Sequence, residues 1–151
     1  MRRLNDTRQH NKGKHEMTHE EAVAKTILAQ LGGARFLLCT GSKNLRCGKN
    51  ADGNTFLRFS LCNLKEYLPN ATVRPNLCTI TLNEAMDWYE VKFEYFREAA
   101  TRFDSKTFTC KTTEEKRVTT YECNEAYCDQ LQEIFEQQTG LCLDMARVRF
   151  G

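Results

Sequence analysis

Cysteine and histidine are the residues of this sequence with the widest chemical repertoire, since both bind metal ions and take part in catalysis. The eight cysteines include no C-x2-C pair, and none has a histidine close by in the sequence. All three histidines, His10, His15 and His19, lie within the first 19 of the 151 residues. The spacing therefore predicts neither a zinc site nor a thiol nucleophile with a histidine base. We expect no metal and no other cofactor.

The cysteine thiols are therefore expected to be structural. A cysteine inside a strand most often serves as a small buried apolar group, and four lie in segments with strand-like patterning: Cys39, Cys62, Cys78 and Cys110. Residues 1–16 lack the apolar centre of a secretion signal, so we expect free thiols and a cytoplasmic location in the host cell interior. No apolar run approaches the roughly 18 residues of a membrane span, so no membrane partner is expected.

Motifs of the common enzyme classes do not occur in the chain. The sequence contains no G-x-S-x-G, no H-E-x-x-H and no G-x-G-x-x-G. We therefore expect a protein that is not an enzyme.

Basic residues are concentrated in one stretch. No acidic residue occurs between Glu21 and Asp52, and this stretch contains the candidate nucleic-acid-binding residues Arg35, Lys43, Arg46 and Lys49. Such residues can contact phosphate oxygens, but the run lacks the G-x4-G-K-[ST] pattern of a phosphate loop, which favours an ordinary solvated hairpin. Phe56 and Phe59 beside Arg58 give a weak signal for base stacking, although alternation places Phe59 in the core.

Acidic residues are concentrated near the C-terminus, where no lysine or arginine occurs from residue 118 to residue 146. The candidate protein-binding residues are Glu125, Asp129, Glu133 and Glu136. The first three recur at i, i+4 and i+8, which predicts an acidic row on a helix, and like charges at this spacing destabilise a helix slightly. Two interpretations stay open: a surface for a basic partner, or a solvated helix face.

Two helices are predicted to flank the strands that position these residues. Thr18 and Glu21 form a capping box at the start of the first helix, which Gly32 and Gly33 end. The second helix is expected to begin after Asn124 and to end before Gly140.

Alternating patterns predict strands over residues 35–40, 55–61, 77–82, 88–96, 107–111 and 117–123. The first two are expected to pair across a loop at 43–54 with a turn at Asp52-Gly53, and the last two form a polar hairpin. Residues 63–76 contain both prolines and read as a surface loop, and 141–150 could add a short strand. The predicted fold is α+β: an antiparallel meander of about five strands with both helices on one face.

The chain divides into two unequal parts. Residues 1–16 contain five Lys/Arg and two Asp/Glu and almost nothing large and apolar, which predicts a disordered basic tail. Residues 17–151 have 17 basic and 18 acidic side chains, so this single domain is nearly neutral. Such a domain offers nucleic acid only local patches.

Three blocks of the sequence resemble a family of small uncharacterised proteins encoded by phages, prophages and plasmids. The blocks are ILAQLGGARFLLCTGSKN at 27–44, ITLNEAMDWYEVKF at 80–93 and YCDQLQEIFEQQTGL at 127–141. The resemblance implies a mobile-element setting, in which small proteins often act by occupying a surface, as inhibitors of host defence do. We therefore expect a binding or accessory protein with a host or phage protein as partner. The alternative is a nucleic-acid accessory protein that uses the tail and the first hairpin.

Overall fold

Helix α1 (His19–Leu31) is the first element of the computed structural model of this chain, which describes residues 16–143. Thr18 caps it: Oγ1 accepts a hydrogen bond from the Glu21 backbone N–H at 3.2 Å, and the Glu21 carboxylate accepts one from the Thr18 N–H at 3.1 Å. The helix ends at Gly32, whose φ of 131° disfavours any residue with a Cβ. The predicted first helix and its capping box are confirmed.

A second short helix, α2 (Ala34–Thr40), follows, so the strand predicted over residues 35–40 is wrong. Phe36 and Thr40 are both buried, and Thr40 Oγ1 donates to the Phe36 carbonyl oxygen at 2.7 Å. Leu38 is 86% exposed, although a strand that buried Phe36 would bury Leu38 on the same face. The i, i+4 pair therefore decides in favour of a helix.

Within residues 16–143, seven strands follow, and five of them form one antiparallel sheet. The strands are β1 (Lys43–Lys49), β2 (Thr55–Ser60), β3 (Leu77–Asn83), β4 (Trp88–Arg97), β5 (Ala100–Asp104), β6 (Thr109–Thr113) and β7 (Lys116–Ala126). The main sheet has the order β1-β2-β3-β4-β7. Leu57, Ile80 and Val91 stand opposite one another on β2, β3 and β4, and all three are buried. The α+β fold with a five-stranded antiparallel sheet is as predicted.

The first hairpin of the sheet uses a strand that the sequence pattern did not reveal. Residues 43–49 form β1 rather than part of a loop, and β1 pairs with β2. The turn itself is as predicted, because Asn50 Oδ1 accepts hydrogen bonds from the Asp52 and Asn54 N–H groups and Gly53 has a φ of 80°. None of the side chains of β1 is buried, so no alternation marks it as a strand.

Strands β5 and β6 form a separate two-stranded sheet, the β5–β6 hairpin. The hairpin predicted between residues 107–111 and 117–123 is therefore wrong. Strand β7 pairs with β4 instead, in a register that aligns Phe93 with Tyr121 and Arg97 with Lys116. Strands β4 and β7 pair as far as Arg97 and Lys116, and the residues between them pair with each other as β5 and β6.

The C-terminal helix, α3 (Leu131–Thr139), begins later than predicted. Asn124 lies in β7 and does not cap the helix, and a 3-10 turn (Cys128–Gln130) precedes α3. Gly140 ends it in the left-handed conformation, as predicted. Gln132 Nε2 donates to the Leu31 carbonyl oxygen at 3.2 Å, which ties α3 to the end of α1.

Four phenylalanine rings fill the space between the helices and the main sheet. Phe135 of α3 lies 4.9 Å from Phe36, 6.2 Å from Phe59 and 5.9 Å from Phe93, measured between ring centroids. All four side chains are at most 2% exposed. The rings meet at interplanar angles of 38° to 81°, the tilted to edge-on arrangements that aromatic pairs prefer.

Residues 63–76 contain neither helix nor strand, as expected of a loop, and Arg74 Nε donates to the Leu68 carbonyl oxygen at 2.8 Å within this loop.

Two other predicted segments fall partly or wholly outside the described residues. The predicted tail, except for Glu16, and the strand expected around Val148 and Phe150 lie outside residues 16–143.

Candidate functional site

The acidic candidates do not form the predicted helical row. Glu125 lies in β7, Asp129 in the 3-10 turn, and Glu133 and Glu136 in α3. The prediction that Glu125, Asp129 and Glu133 form one row on a helix is therefore wrong, because the backbone at Glu125 is extended. Whether these residues bind a protein stays a prediction.

Three of the acidic side chains have local partners. Glu125 Oε1 accepts a hydrogen bond from the Tyr127 hydroxyl at 2.9 Å, and this bond raises the pKa of Tyr127. Glu136 Oε2 accepts one from the Leu143 N–H at 2.6 Å and so holds the chain beyond α3. Glu133 Oε1 accepts one from Gln137 Nε2 at 3.3 Å, and both Glu133 and Asp129 are exposed.

The basic candidates separate into two places. Arg35 is exposed on α2 and does not belong to a hairpin, which corrects its predicted position. Lys43, Arg46 and Lys49 lie together on β1, and all three are exposed. Lys49 Nζ lies 3.5 Å from Glu20 Oε1 of α1. A backbone hydrogen bond, with a further contribution from Lys49, lowers the pKa of Glu20.

The sheet face opposite the helices bears a half-buried aromatic and a cation. The Phe56 ring lies against Gly48, where an added Cβ would stand 3.2 Å from Phe56 Cζ. The Arg58 guanidinium lies 5.0 Å from the centre of that ring, and Arg58 Nε donates to Thr79 Oγ1 at 3.1 Å. Phe59 is fully buried on the other face, so the predicted pair of stacking rings reduces to Phe56 alone.

The same face contains a buried carboxylate. Glu94 is 2% exposed, and its Oε2 accepts a hydrogen bond from Arg117 Nη1 at 2.9 Å and lies 3.8 Å from Lys92 Nζ. Arg117 also lies over the Phe96 ring at 4.6 Å. Two cations compensate this charge, so we read Glu94 as structural.

A groove of about 330 Å³ runs between α1 and β1. Its walls are mainly apolar, with Leu28 from α1 and Leu45 and Leu57 from the strands. Lys25 and Arg46 also line it. Its size is at the low end for a ligand site.

The β5–β6 hairpin exposes two aromatic rings. Phe103 is 61% and Phe108 is 82% exposed, and their ring centroids lie 5.9 Å apart in an edge-on contact. Phe108 also has a φ of 53°, a left-handed conformation that is unfavourable for a bulky side chain. Every residue of both strands is exposed except Asp104, which is half-buried.

These two rings are the residues that sequence reasoning missed. The signal was present, because Phe103 and Phe108 are the only large apolar side chains between residues 98 and 116. A polar segment with two isolated phenylalanines has no core of its own to bury them in. The strand pattern alone predicts only a polar edge hairpin.

The cysteines differ in exposure. Cys78 is fully buried, as expected, and burial raises the pKa of its thiol. Cys110 is exposed on β6, so the expectation of a buried thiol there is wrong. Within residues 16–143, no cluster of three or more His, Cys, Asp or Glu side chains is arranged to hold a metal ion.

In the described part of the chain, no single helix is long and apolar enough to cross a membrane. Only taken together do α1 and α2 reach that length and composition, and they are bent by 63° at their junction.

No family model matches the chain, and neither a curated protein nor a solved structure matches it.

Proposed function

We propose that this chain is a non-enzymatic binding domain of a phage or other mobile element, which acts by holding a host or phage protein. The observation that carries the proposal is the exposed ring pair Phe103 and Phe108. The three sequence blocks that resemble mobile-element proteins support the setting. Inhibition of a host defence is one activity that such a domain would have.

The ring pair has the properties of a protein-docking anchor. Aromatic side chains dominate binding hot spots because they bury a large area with little loss of conformational freedom. Removing a phenylalanine side chain from water is worth about 1.5–3 kcal/mol, and at Phe103 and Phe108 a partner can gain that free energy twice at adjoining rings. The left-handed backbone at Phe108 holds its ring at the tip of the β5–β6 hairpin at a local cost.

Site-specific photocrosslinking tests this proposal even while the partner is unidentified. Benzoylphenylalanine is placed at position 108 of the full chain in cells of the organism that carries the gene. We expect a discrete crosslinked protein, identified by mass spectrometry. Tyr67 is 49% exposed on the loop at 63–76 and serves as the matched control position.

The identified partner is then titrated against purified wild type and the double variant Phe103→Ser/Phe108→Asn. We expect the variant to bind at least about tenfold more weakly, as for loss of a hot spot. The companion variant Asp129→Lys/Glu133→Lys tests the acidic pair, where a slower association rate is expected if it steers a basic partner. Equal crosslinking at positions 67 and 108, or unchanged affinity of the double variant, would show that the hairpin is not the docking site.

A nucleic-acid accessory role is the second candidate, and the arrangement on β1 and β2 favours it. Arg46 stands opposite Arg58 in the strand register, and Arg58 lies over the Phe56 ring, so cations and one aromatic ring share this part of the sheet. Base stacking on an aromatic with flanking cations is typical of single-strand binding.

Fluorescence anisotropy with single- and double-stranded DNA decides between the two roles. We expect no binding at low micromolar protein in physiological salt. Binding that is abolished by Lys43→Ala/Arg46→Ala/Lys49→Ala, with a salt slope reduced by about one unit for each phosphate contact removed, would establish the nucleic-acid role instead.

A further inference from the structure

We propose that the groove between α1 and β1 binds an extended acidic peptide segment of a partner protein, which adds to β1 as a further strand. This surface is separate from the Phe103 and Phe108 anchor and would hold whether or not that anchor is used. Three features of the described residues support it: an open strand edge, an adjoining apolar groove and a one-sided charge.

The first feature is the edge itself. Strand β1 is the first strand of the sheet order, so one of its sides pairs with β2 and the other pairs with no strand of the described chain. A free edge presents backbone N–H and C=O groups that an extended peptide can satisfy.

The second feature is the groove beside that edge. Successive side chains of an added strand point to opposite faces of the sheet, so every second one would face α1. There it meets Leu28, Leu45 and Leu57, with Leu45 still 37% and Met17 50% exposed. A large aliphatic or aromatic side chain of the peptide matches these walls.

The start of β1 is irregular. The pairing of β1 with β2 shifts register between Lys43 and Arg46, and Asn44 within the shift has a φ of 59°. Bulges of this kind redirect side chains at the edges of sheets. Leu45, which lines the groove, lies within this irregular start.

The third feature is charge. Strand β1 contains three cations, Lys43, Arg46 and Lys49, and no anion. Lys49 is already paired with Glu20 at 3.5 Å, so the positive charge offered to a peptide comes mainly from Lys43 and Arg46, with Lys25 of α1 beside them. Glu21 is the one acidic side chain among those lining the groove, and its carboxylate is held by Thr18 in the capping box. The peptide side chains that do not enter the groove are therefore expected to be Asp or Glu.

A synthetic peptide tests the proposal with the full chain. The probe is a fluorescein-labelled, capped peptide E-L-E-V-E-L-E, whose alternation matches the groove and the cations. The controls are K-L-K-V-K-L-K and an E-L-E-V-E-L-E peptide with alternate backbone amides N-methylated. We expect saturable binding of the first peptide and at least about tenfold weaker binding of both controls, because one has the wrong charge and the other cannot pair as a strand.

Variants locate the binding surface. Leu45→Glu and Arg46→Glu are each expected to weaken the probe about tenfold or more, since one adds charge to the groove wall and the other reverses the charge of the edge. Phe103→Ser/Phe108→Asn should bind the probe as wild type does, which separates this site from the docking hairpin. An unchanged urea midpoint confirms that the variants are folded, and backbone amide shifts at Arg46 and Gly48 report contact with β1 directly.

Several results would overturn the proposal. These are no saturation by the Glu peptide at millimolar concentration, equal affinity of the N-methylated peptide, or amide shifts that avoid β1. Binding of oligothymidylate at Arg46 and Gly48 without binding of the peptide would make this edge a nucleic-acid site. A dimer in sedimentation that Arg46→Glu dissolves would make a second copy of the chain the occupant instead.

Discussion

The five-stranded sheet and the β5–β6 hairpin are both antiparallel, but they differ in how far they bury their phenylalanine rings. The large sheet has one face covered by helices, where the Phe135 ring contacts those of Phe36, Phe59 and Phe93 and all four are out of water. The hairpin also has a pair of phenylalanine rings in contact, but both rings are mostly exposed. Ring contacts alone therefore do not make a core.

Burial decides which of the two regions stabilises the fold. A two-stranded hairpin that covers no apolar face is marginal in water, whereas a sheet packed on helices is not. We infer that the main sheet holds most of the free energy of folding, while the hairpin is free to open locally. Three predictions test this difference directly and one compares two turns outside the hairpin, in order from the largest expected effect to the smallest.

The largest effect is expected in thiol reactivity, because each region contains one diagnostic cysteine. Cys78 of β3 is fully buried and its pKa is raised by that burial, whereas Cys110 of β6 is exposed. The thiolate is the reactive form, so Cys78 reacts only when the core opens. We expect Cys110 to react with an alkylating reagent at least about a thousandfold faster, as a folding free energy of several kcal/mol implies.

Peptide mapping by mass spectrometry assigns each modified cysteine. Cys47 and Cys128 are exposed outside the hairpin and serve as internal standards. Comparable rates at Cys78 and Cys110 in the native protein would mean that the main sheet opens as easily as the hairpin does, and the contrast between the two regions would be lost.

The second prediction concerns the aromatic core. Phe135→Ala removes the ring that contacts all three others, and we expect a loss of about 3–5 kcal/mol in the free energy of unfolding. Phe103→Ala removes a ring of equal size from the hairpin and is expected to cost less than about 1 kcal/mol, because Phe103 is exposed and its contact with Phe108 is worth about 0.5–1 kcal/mol. Urea titration followed by circular dichroism measures both, and similar losses would contradict the assignment of the core.

Patterns of buried side chains made most of the main sheet predictable. In β4, Tyr89, Val91 and Phe93 alternate with polar residues and are buried as expected. The sequence misled at α2, because Phe36, Leu37 and Leu38 form a short apolar run that fits a strand as well as a helix. Nothing in the sequence indicated strand β1, because β1 has no buried side chain that would produce an alternating pattern.

The candidate surfaces were harder to predict than the core, for a physical reason. Charge spacing predicts a row only if the backbone is known, and the extended conformation at Glu125 removes the helix that the row needed. By contrast, Lys43, Arg46 and Lys49 are brought together simply because they are close in sequence. The groove beside them depends on α1, which no local pattern of β1 could indicate.

The third prediction concerns two turns that both require glycine. A Cβ at Gly140, φ 76°, would lie 2.4 Å from the Tyr67 carbonyl oxygen, whereas at Gly53, φ 80°, it would meet nothing within 4 Å. Gly53→Ala is therefore expected to cost about 1–2 kcal/mol from backbone strain alone. Gly140→Ala should cost clearly more, because α3 or the loop at Tyr67 must also move away from the main-chain contact. Thermal unfolding compares the two variants. Equal losses would show that the main chain at Tyr67 moves away from the added Cβ at no cost in stability.

The smallest effect is expected for Phe108→Asn in the hairpin. Asparagine tolerates the left-handed backbone at this position better than phenylalanine, which favours the variant, while loss of the Phe103 ring contact disfavours it. Each contribution is on the order of 0.5–1 kcal/mol and they oppose each other, so the net change should stay within about 0.5 kcal/mol. Because both act only on the hairpin, native-state hydrogen exchange should change at the amides of β5 and β6 and not at those of β3 and β4. A loss of protection in β3 would mean that the two regions unfold as one unit, and Phe108 would then belong to the structure of the domain rather than to its binding surface.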